Sequence, residues 1–321
     1  MRRLIHFATA VTAYLIVGVA AAQSYPSRPV RVIVTFPPGA GSDIATRLVT
    51  AKLVESLGRA FVVDNRAGAA GNIGVDMAAH SAPDGYTLLA VTAAAAISQS
   101  AYAKAPFDLV KDFAPVALTA SAPFILAVHP SVPAKSLQEL VALAKSKPGQ
   151  YSYATPGTGS SPHMAGELLK METGINLLHV PYKGTVPAIT DVIAGNVSMA
   201  LANTLVALPA VRSGRLRAIA ITSAKRSTIV PEMPTFSESG VRGFESGTWY
   251  AFLAPAGTPR PIIALLNREI SRIVQLPDVR EKLATQGAEP LTGTPEETGA
   301  FVRNEGARWA KVVKAAGVRL D

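Results

Sequence analysis

Val30-Arg31-Val32-Ile33-Val34-Thr35-Phe36-Pro37-Pro38-Gly39-Ala40-Gly41-Ser42-Asp43 decides how the rest of the chain is read. Its first seven residues form a β-branched run with the composition of a strand. From Ser42 to Leu57 the apolar residues Ile44, Leu48, Val49 and Leu57 recur near a helical period, and Gly58 supplies a stop. A strand that turns through a short Gly/Pro loop into a helix opens a parallel α/β unit, because parallel strands need a crossover connection.

Working outward, the unit recurs. Phe61-Val62-Val63 reads as a strand, followed by a helix near Gly74–His80, a Pro83-Asp84-Gly85 turn and a strand over Tyr86–Val91. The alternation restarts with a strand at Phe124–Val128. Ser136 and Glu139 form a capping box that opens a helix through Ala144. Tyr151–Ala154 is a strand, and Pro162–Glu172 a helix closed by Gly174. Leu177–Val180 is a strand, Pro187–Ala194 a helix, and Val197–Leu201, Arg217–Thr222 and Trp249–Leu253 are further strands. The remainder is helical over Pro261–Gln275, Val279–Gln286 and Glu296–Ala316, with a break allowed in the last. Two sets of such units predict an α/β protein of two lobes, each a mostly parallel sheet flanked by helices.

Composition supports this. At roughly 150 residues per domain, 321 residues suggest two domains. With 49% hydrophobic and 17% charged residues, the chain is too apolar to be largely disordered. There is no cysteine, which excludes disulfides, thiol catalysis, Cys-ligated zinc and iron–sulfur clusters. The formal charge of +9 is spread along the chain, and aromatics are only 6%. No basic stripe with interleaved stacking residues marks a nucleic-acid partner; the excess suits small anions or solubility.

Arg2 and Arg3 precede an apolar run that ends in Ala20-Ala21-Ala22. Residues 1–22 are expected to be a secretory signal peptide cut before Gln23, the alternative being an uncleaved anchor. Residues 113–134 and 192–211 carry no formal charge, but Pro and Gly interrupt both, so neither reads as a membrane span. The expected location is the periplasm.

In open α/β sheets ligands bind beyond the carboxyl ends of strands, so the loops there are the candidates. The loop from Phe36 through Gly39, Ala40, Gly41, Ser42 and Asp43 offers backbone amides at a helix start, an anion site without Lys or Arg. Asp43 would cap the helix or meet a ligand amine or hydroxyl. Thr155-Pro156-Gly157-Thr158-Gly159-Ser160-Ser161-Pro162-His163 repeats the design, with Ser161 expected as N-cap and Pro162 at the first helical position. Each loop also reads as a capped tight turn. Asn65-Arg66-Ala67-Gly68-Ala69-Ala70-Gly71-Asn72-Ile73-Gly74 lacks nucleotide-loop spacing and suits packing or cleft lining. Tyr182-Lys183-Gly184 could line the cleft. Trp249-Tyr250 reads as core, with stacking on a ligand or a hinge role as the alternatives.

Enzyme signatures are scarce. His6, His80, His129, His163 and His179 form no metal pair, and no Ser sits in G-x-S-x-G. Ser160 or Ser161 with His163 could serve an exported hydrolase only with a base and acidic orienter that the sequence does not supply. No catalytic residue, metal or cofactor is expected.

Several segments carry a resemblance: Tyr25-Pro26-Ser27-Arg28-Pro29 with the Phe36–Asp43 loop, Asn65-Arg66 with Gly71-Asn72-Ile73-Gly74, Ala82–Leu89, Asp112–Val116, Gly157–Lys170, His179–Gly184 and Ala254–Pro259. In this order they resemble the substrate-binding proteins of tripartite tricarboxylate transporters, the Bug receptors. The resemblance implies a type II periplasmic binding protein, a Venus flytrap with crossover strands near Phe124–Val128 and Trp249–Leu253. Lobe 1 would comprise 23–125 plus 249–321, and lobe 2 would comprise 126–248. It implies a small organic carboxylate held by Gly39, Ala40, Ser42 and Asp43 from one side and Thr158, Gly159, Ser160 and His163 from the other, with Asn203. Integral membrane transporter subunits are the implied partners, and the receptor is expected to be a monomer. Output to a membrane sensor is the alternative. Two departures stand out: Ala40 where the family often has Gly, and Ala202 where it often has Asp, which leaves an amino-acid ligand in doubt.

Overall fold

The computed structural model describes residues 25–320; the expected leader and its cleavage site lie outside them. Strand β1 (Val30–Val34) lies between β2 (Phe61–Asn65) and β3 (Thr87–Thr92), all parallel. Val30, Val32, Ile33 and Val34 are fully buried, as a parallel sheet covered on both faces requires. Helix α1 (Gly41–Leu57) joins β1 to β2 and ends at Gly58, whose left-handed φ of 67° closes the last turn. Helix α2 (Asn72–Ala79) precedes β3, and α3 (Ala93–Ala101) follows it. The sequence reading gives no α3: Ala93-Ala94-Ala95-Ala96-Ile97 is buried nearly all round, so no amphipathic period marks it.

Strand β4 (Phe113–Val128) is the pivot of the topology. From Phe113 to Pro123 it pairs antiparallel with β9 (Gly247–Pro255); from Phe124 to Val128 it pairs with β7 (Met199–Asn203) and β8 (Arg217–Ile221). One strand thus serves two sheets. Pro115 adjoins a register shift and Pro123 ends the first ladder, the positions where a missing amide is tolerated. The return connection lies alongside. Thr222 exchanges bonds with Phe124, the Phe124 amide donating to Thr222 Oγ1 (2.8 Å) and the Thr222 amide to the Phe124 carbonyl (2.9 Å). The Ser246 amide, just before β9, donates to the Thr222 carbonyl at 2.9 Å.

The second sheet contains β5 (Ser152–Thr155) between parallel neighbours β6 (Leu178–Pro181) and β7. Its order, β6-β5-β7-β4-β8, repeats the first sheet's β2-β1-β3-β9-β4. In each, three parallel strands are extended by an antiparallel strand that arrives from the other half. Helices α4 (Leu137–Ser146), α5 (Ser161–Thr173), α6 (Thr185–Ile193) and α7 (Thr204–Arg212) belong to the second half. The chain then returns through α8 (Arg260–Val274), α9 (Pro277–Thr285), the short β10 (Glu289–Pro290) and α10 (Pro295–Ala316), which is unbroken.

Two apolar clusters are local. One packs α1, α8 and α9 on the first sheet, and another packs α6 and α7 on the second. A third is continuous through both halves, from Ile33 and Leu89 through Trp309, Val312 and Val313 of α10 to Leu169 of α5 and Met199. Glu305 of α10 is buried and accepts the indole N–H of both Trp249 (2.8 Å) and Trp309 (3.0 Å), so the returning strand is tied to this helix.

Candidate functional site

A helix that follows a parallel strand begins at that strand's carboxyl end. Five do so around one hollow of about 290 Å³: α1, α3, α5, α6 and α7. The first half contributes Phe36, Ala40, Gly41, Ser42, Ala70, Thr92 and Ala94. The crossing strands contribute Phe124, Thr248 and Tyr250. The second half contributes Pro156, Gly157, Thr158, Gly159, Ser160, Ser161, Pro162, Thr185 and Asn203. None of these residues is charged. The positive field in the hollow therefore comes from helix starts, each equivalent to about half an elementary charge.

The two principal loops share one geometry. Ala40 and Ser160 both have φ −67° and ψ 155° at the N-cap, and Gly39 and Gly159 precede them at φ 82° and 76°. Each N-cap amide donates back three residues at 3.2 Å, Ala40 to the Pro37 carbonyl and Ser160 to the Gly157 carbonyl. In each loop the third helical residue reaches back to the glycine: Asp43 Oδ2 accepts from the Gly39 amide (2.9 Å), and His163 Nδ1 accepts from the Gly159 amide (3.0 Å). One backbone design is thus braced by a carboxylate in one half and an imidazole in the other.

These braces settle several roles. Asp43 is 2% exposed, and its carboxylate also accepts from Arg47 and Asn65. The N-cap of α1 is Ala40, so Asp43 neither caps the helix in the ordinary way nor faces the hollow. Hydrogen bonds from Arg47, Gly39 and Asn65 outweigh its desolvation and hold its pKa below the usual carboxylate value. His163 is likewise buried behind its loop, stacked on His179 with ring centroids 3.9 Å apart. Burial, and then the neighbouring His179, push its pKa down to about 4. It is neutral at pH 7, with Nδ1 as the acceptor. That nitrogen is committed to Gly159 and is not available to deprotonate a serine.

The N-cap of α5 is Ser160 and not Ser161 as the sequence suggests. Ser160 Oγ donates to the Gly157 carbonyl (2.6 Å) and accepts from the His163 amide (3.4 Å). Its hydroxyl braces the loop, while Ser161 and Pro162 stand at the first two helical positions. Gly39 lies behind the lining, in the turn. Tyr182 is also outside it: the Tyr182 hydroxyl donates to Asp191 Oδ2 at 2.5 Å and so points away. The groups turned to the hollow are the first-turn amides of α1, which have no intrahelical acceptor, together with the lining residues Thr158, Ser161 and Asn203.

Thr92, Ala94, Phe124, Thr185 and Thr248 also line the hollow and were not singled out as site residues from the sequence; Tyr250, read there as core, lines it too. Period-two alternation explains the split of Trp249 from Tyr250. Trp249 faces the core, 3% exposed, while the Tyr250 ring faces the hollow, with its hydroxyl 2.8 Å from where a side chain on Gly41 would begin. Of the third glycine-rich loop, Ala70 reaches the lining, while Gly71 and Gly74 pack closely on Thr35. Leu320, near the carboxyl terminus, packs where a side chain on Gly159 would stand.

A family model described as the tripartite tricarboxylate transporter family receptor matches residues 45–318. Protein BugT of Bordetella pertussis is 41% identical over 308 residues, covering 94% of each chain. Among solved structures, an R. palustris protein with adipate superposes with TM-score 0.78 at 36% identity, over 92% of this chain and 99% of that one. MatC from Rhodopseudomonas palustris with bound malate gives TM-score 0.73 at 34% identity, over 90% of this chain and 100% of that one. The two-lobed architecture described above is that of periplasmic binding proteins.

Proposed function

The chain belongs to the tripartite tricarboxylate transporter receptor family, and from that premise we propose that it is a periplasmic receptor for a small organic carboxylate. The two lobes close on the acid, and the closed receptor hands it to integral membrane subunits of a tripartite transporter. The observation that carries this reading is a single hollow, bounded by both lobes, into which five helices direct their amino ends and no charged side chain projects. A carboxylate there meets donors already oriented by the fold, and backbone dipoles supply the counter-charge. Related structures hold adipate and malate, acids of a size this hollow accommodates. The reading requires no bond to be made or broken: the one histidine beside the loop serines is spent on a backbone amide.

The decisive experiment is a thermal-shift and calorimetry panel of dicarboxylates, tricarboxylates and aromatic acids, with adipate and malate included. At least one acid should bind in the micromolar range or tighter and raise the melting temperature in proportion to log concentration. A panel in which no carboxylate stabilises the protein would overturn the reading. Loss of uptake of the same acid in a strain deleted for this receptor tests delivery.

A further inference from the structure

We infer that the Tyr250 phenol is a side-chain donor to the acid group held at the start of α1, and that Gly41 is glycine because a side chain there would take the place of that hydroxyl; this rests on the receptor reading above and names the residue pair that sets where the acid sits. Gly41 is the first residue of α1. Its φ is not among the left-handed values that most of the described glycines adopt, so its backbone suits alanine, the better helix former. A methyl group at this position would stand 2.8 Å from Tyr250 Oη and 3.8 Å from Tyr250 Cζ, with no other atom beyond the helix start itself within 4 Å. The second distance is ordinary contact and the first is a collision. The Tyr250 hydroxyl is therefore the one group that requires glycine here.

That hydroxyl is free to meet a ligand. Tyr250 is half-buried and lines the hollow, and among the described residues its hydroxyl has no hydrogen-bond partner. By contrast, the hydroxyls of Tyr25, Tyr153 and Tyr182 are spent on the Gly85 carbonyl, Glu167 and Asp191. Burial alone pushes the pKa of Tyr250 up to about 12, so the phenol keeps its proton and can donate at neutral pH. It lies over the first turn of α1, whose amides also lack acceptors. One carboxylate oxygen in the hollow serves both, and hydrogen bonds to a charged acceptor are the stronger kind.

The phenol is also held from behind. Tyr250 stands opposite Thr92 of β3 and Ala120 of β4 in the two ladders of β9. Thr119 Oγ1 donates to its carbonyl at 3.0 Å, and the adjacent Trp249 is fixed by its indole bond to buried Glu305. A donor positioned in this way loses little freedom on binding. Because β9 is the strand by which the chain re-enters the first half, an acid bonded to Tyr250 touches a helix start and the returning connection at once.

The test is calorimetry on the intact mature protein with whichever of succinate, malate, adipate, citrate and benzoate raises its melting temperature most. Tyr250→Phe should weaken binding of that acid by about tenfold or more and leave the melting temperature of the unliganded protein unchanged. It should also abolish the near-ultraviolet tyrosine difference signal that the acid produces in the parent protein. Gly41→Ala should weaken binding at least as much. Combining the two decides the matter. With the hydroxyl gone the alanine meets only the ring, so adding Gly41→Ala to Tyr250→Phe should cost less than about threefold more. Full multiplication of the two losses, or either single variant binding like the parent, overturns the inference while leaving the receptor reading intact. Should Gly41→Ala fail to fold, Tyr250→Phe, which removes one oxygen atom, carries the test alone. A protein that none of these acids stabilises, nor any other carboxylate, overturns both.

Discussion

His163 occupies the position that Asp43 holds in the other lobe, and the exchange has a consequence for acid stability. An imidazole can accept the Gly159 amide only while Nδ1 is unprotonated. Burial lowers its pKa from 6.5 to about 4. Unfolded protein therefore takes up a proton below pH 6.5 that the folded protein refuses. Stability contributed by this group is full above pH 6.5 and declines as pH falls towards 4, by up to about 3 kcal/mol at ~1.4 kcal/mol per unit. Burial lowers His179 too, in the same direction. Urea titrations at pH 7.5, 6 and 4.5 should show this decline, and His163→Asn should flatten it. An equally steep decline in the variant would count against the assignment.

The neighbouring serines part company at the same scale. Ser160→Ala removes the N-cap of α5 and should cost about 1 kcal/mol of folding stability, with affinity for the bound acid changed by less than threefold. Ser161→Ala leaves the cap in place and removes a hydroxyl from the lining. It should weaken affinity by about 1 kcal/mol with little change in melting temperature. Reversal of the two effects would exchange their roles.

Among the elements, α10 holds the returning strand in place. Glu305 accepts two indole N–H groups and pairs with Arg308 at 2.9 Å while remaining buried. Glu305→Ala leaves both donors without their acceptor, and a loss of about 3 kcal/mol is expected, measured by denaturant unfolding. A loss below 1 kcal/mol would show that the tie is incidental. At this scale the sequence is most legible where period and punctuation agree. β1, α1, α4 and α5 follow from β-branched runs, helical spacing, caps and stop glycines. α3 is hidden because its first five residues are uniformly apolar, and the length of β4 is masked by Pro115 and Pro123, which read as breaks but mark a register shift and a change of pairing partner respectively.

The site was legible in its two loops and not in its walls. Gly41, Ser42, Thr158 and Ser161 announce themselves by glycine and hydroxyl content beside a helix start. Phe124, Thr248 and Tyr250 reach the hollow only because two strands cross between sheets, a relation that no local pattern records. Asp43 and His163 look like ligand groups in a linear reading. Only the fold reveals that each turns back to its own loop.

For the whole molecule, the repeated sheet order and the paired connections at Pro123–Phe124 and Ser246–Gly247 divide the chain into two halves, yet the largest apolar cluster runs through both. Two independently melting domains are not expected. Calorimetry should record one cooperative transition, with calorimetric and van't Hoff enthalpies equal; two resolved peaks would contradict the continuity of that cluster. Scattering should show a smaller radius of gyration with the acid than without it, as a hinge closure requires.

Leu320, the last of the described residues, rests against the Gly159 turn while its amide bonds the Ala101 carbonyl at 3.1 Å. Anything appended beyond it pulls directly on the machinery that meets the solute. An affinity handle or reporter dye attached there should distort titrations in a way that mimics altered specificity. The other end of the described residues is safer ground: Tyr25 stacks edge-on against Tyr86, at the far end of β3 from the cleft.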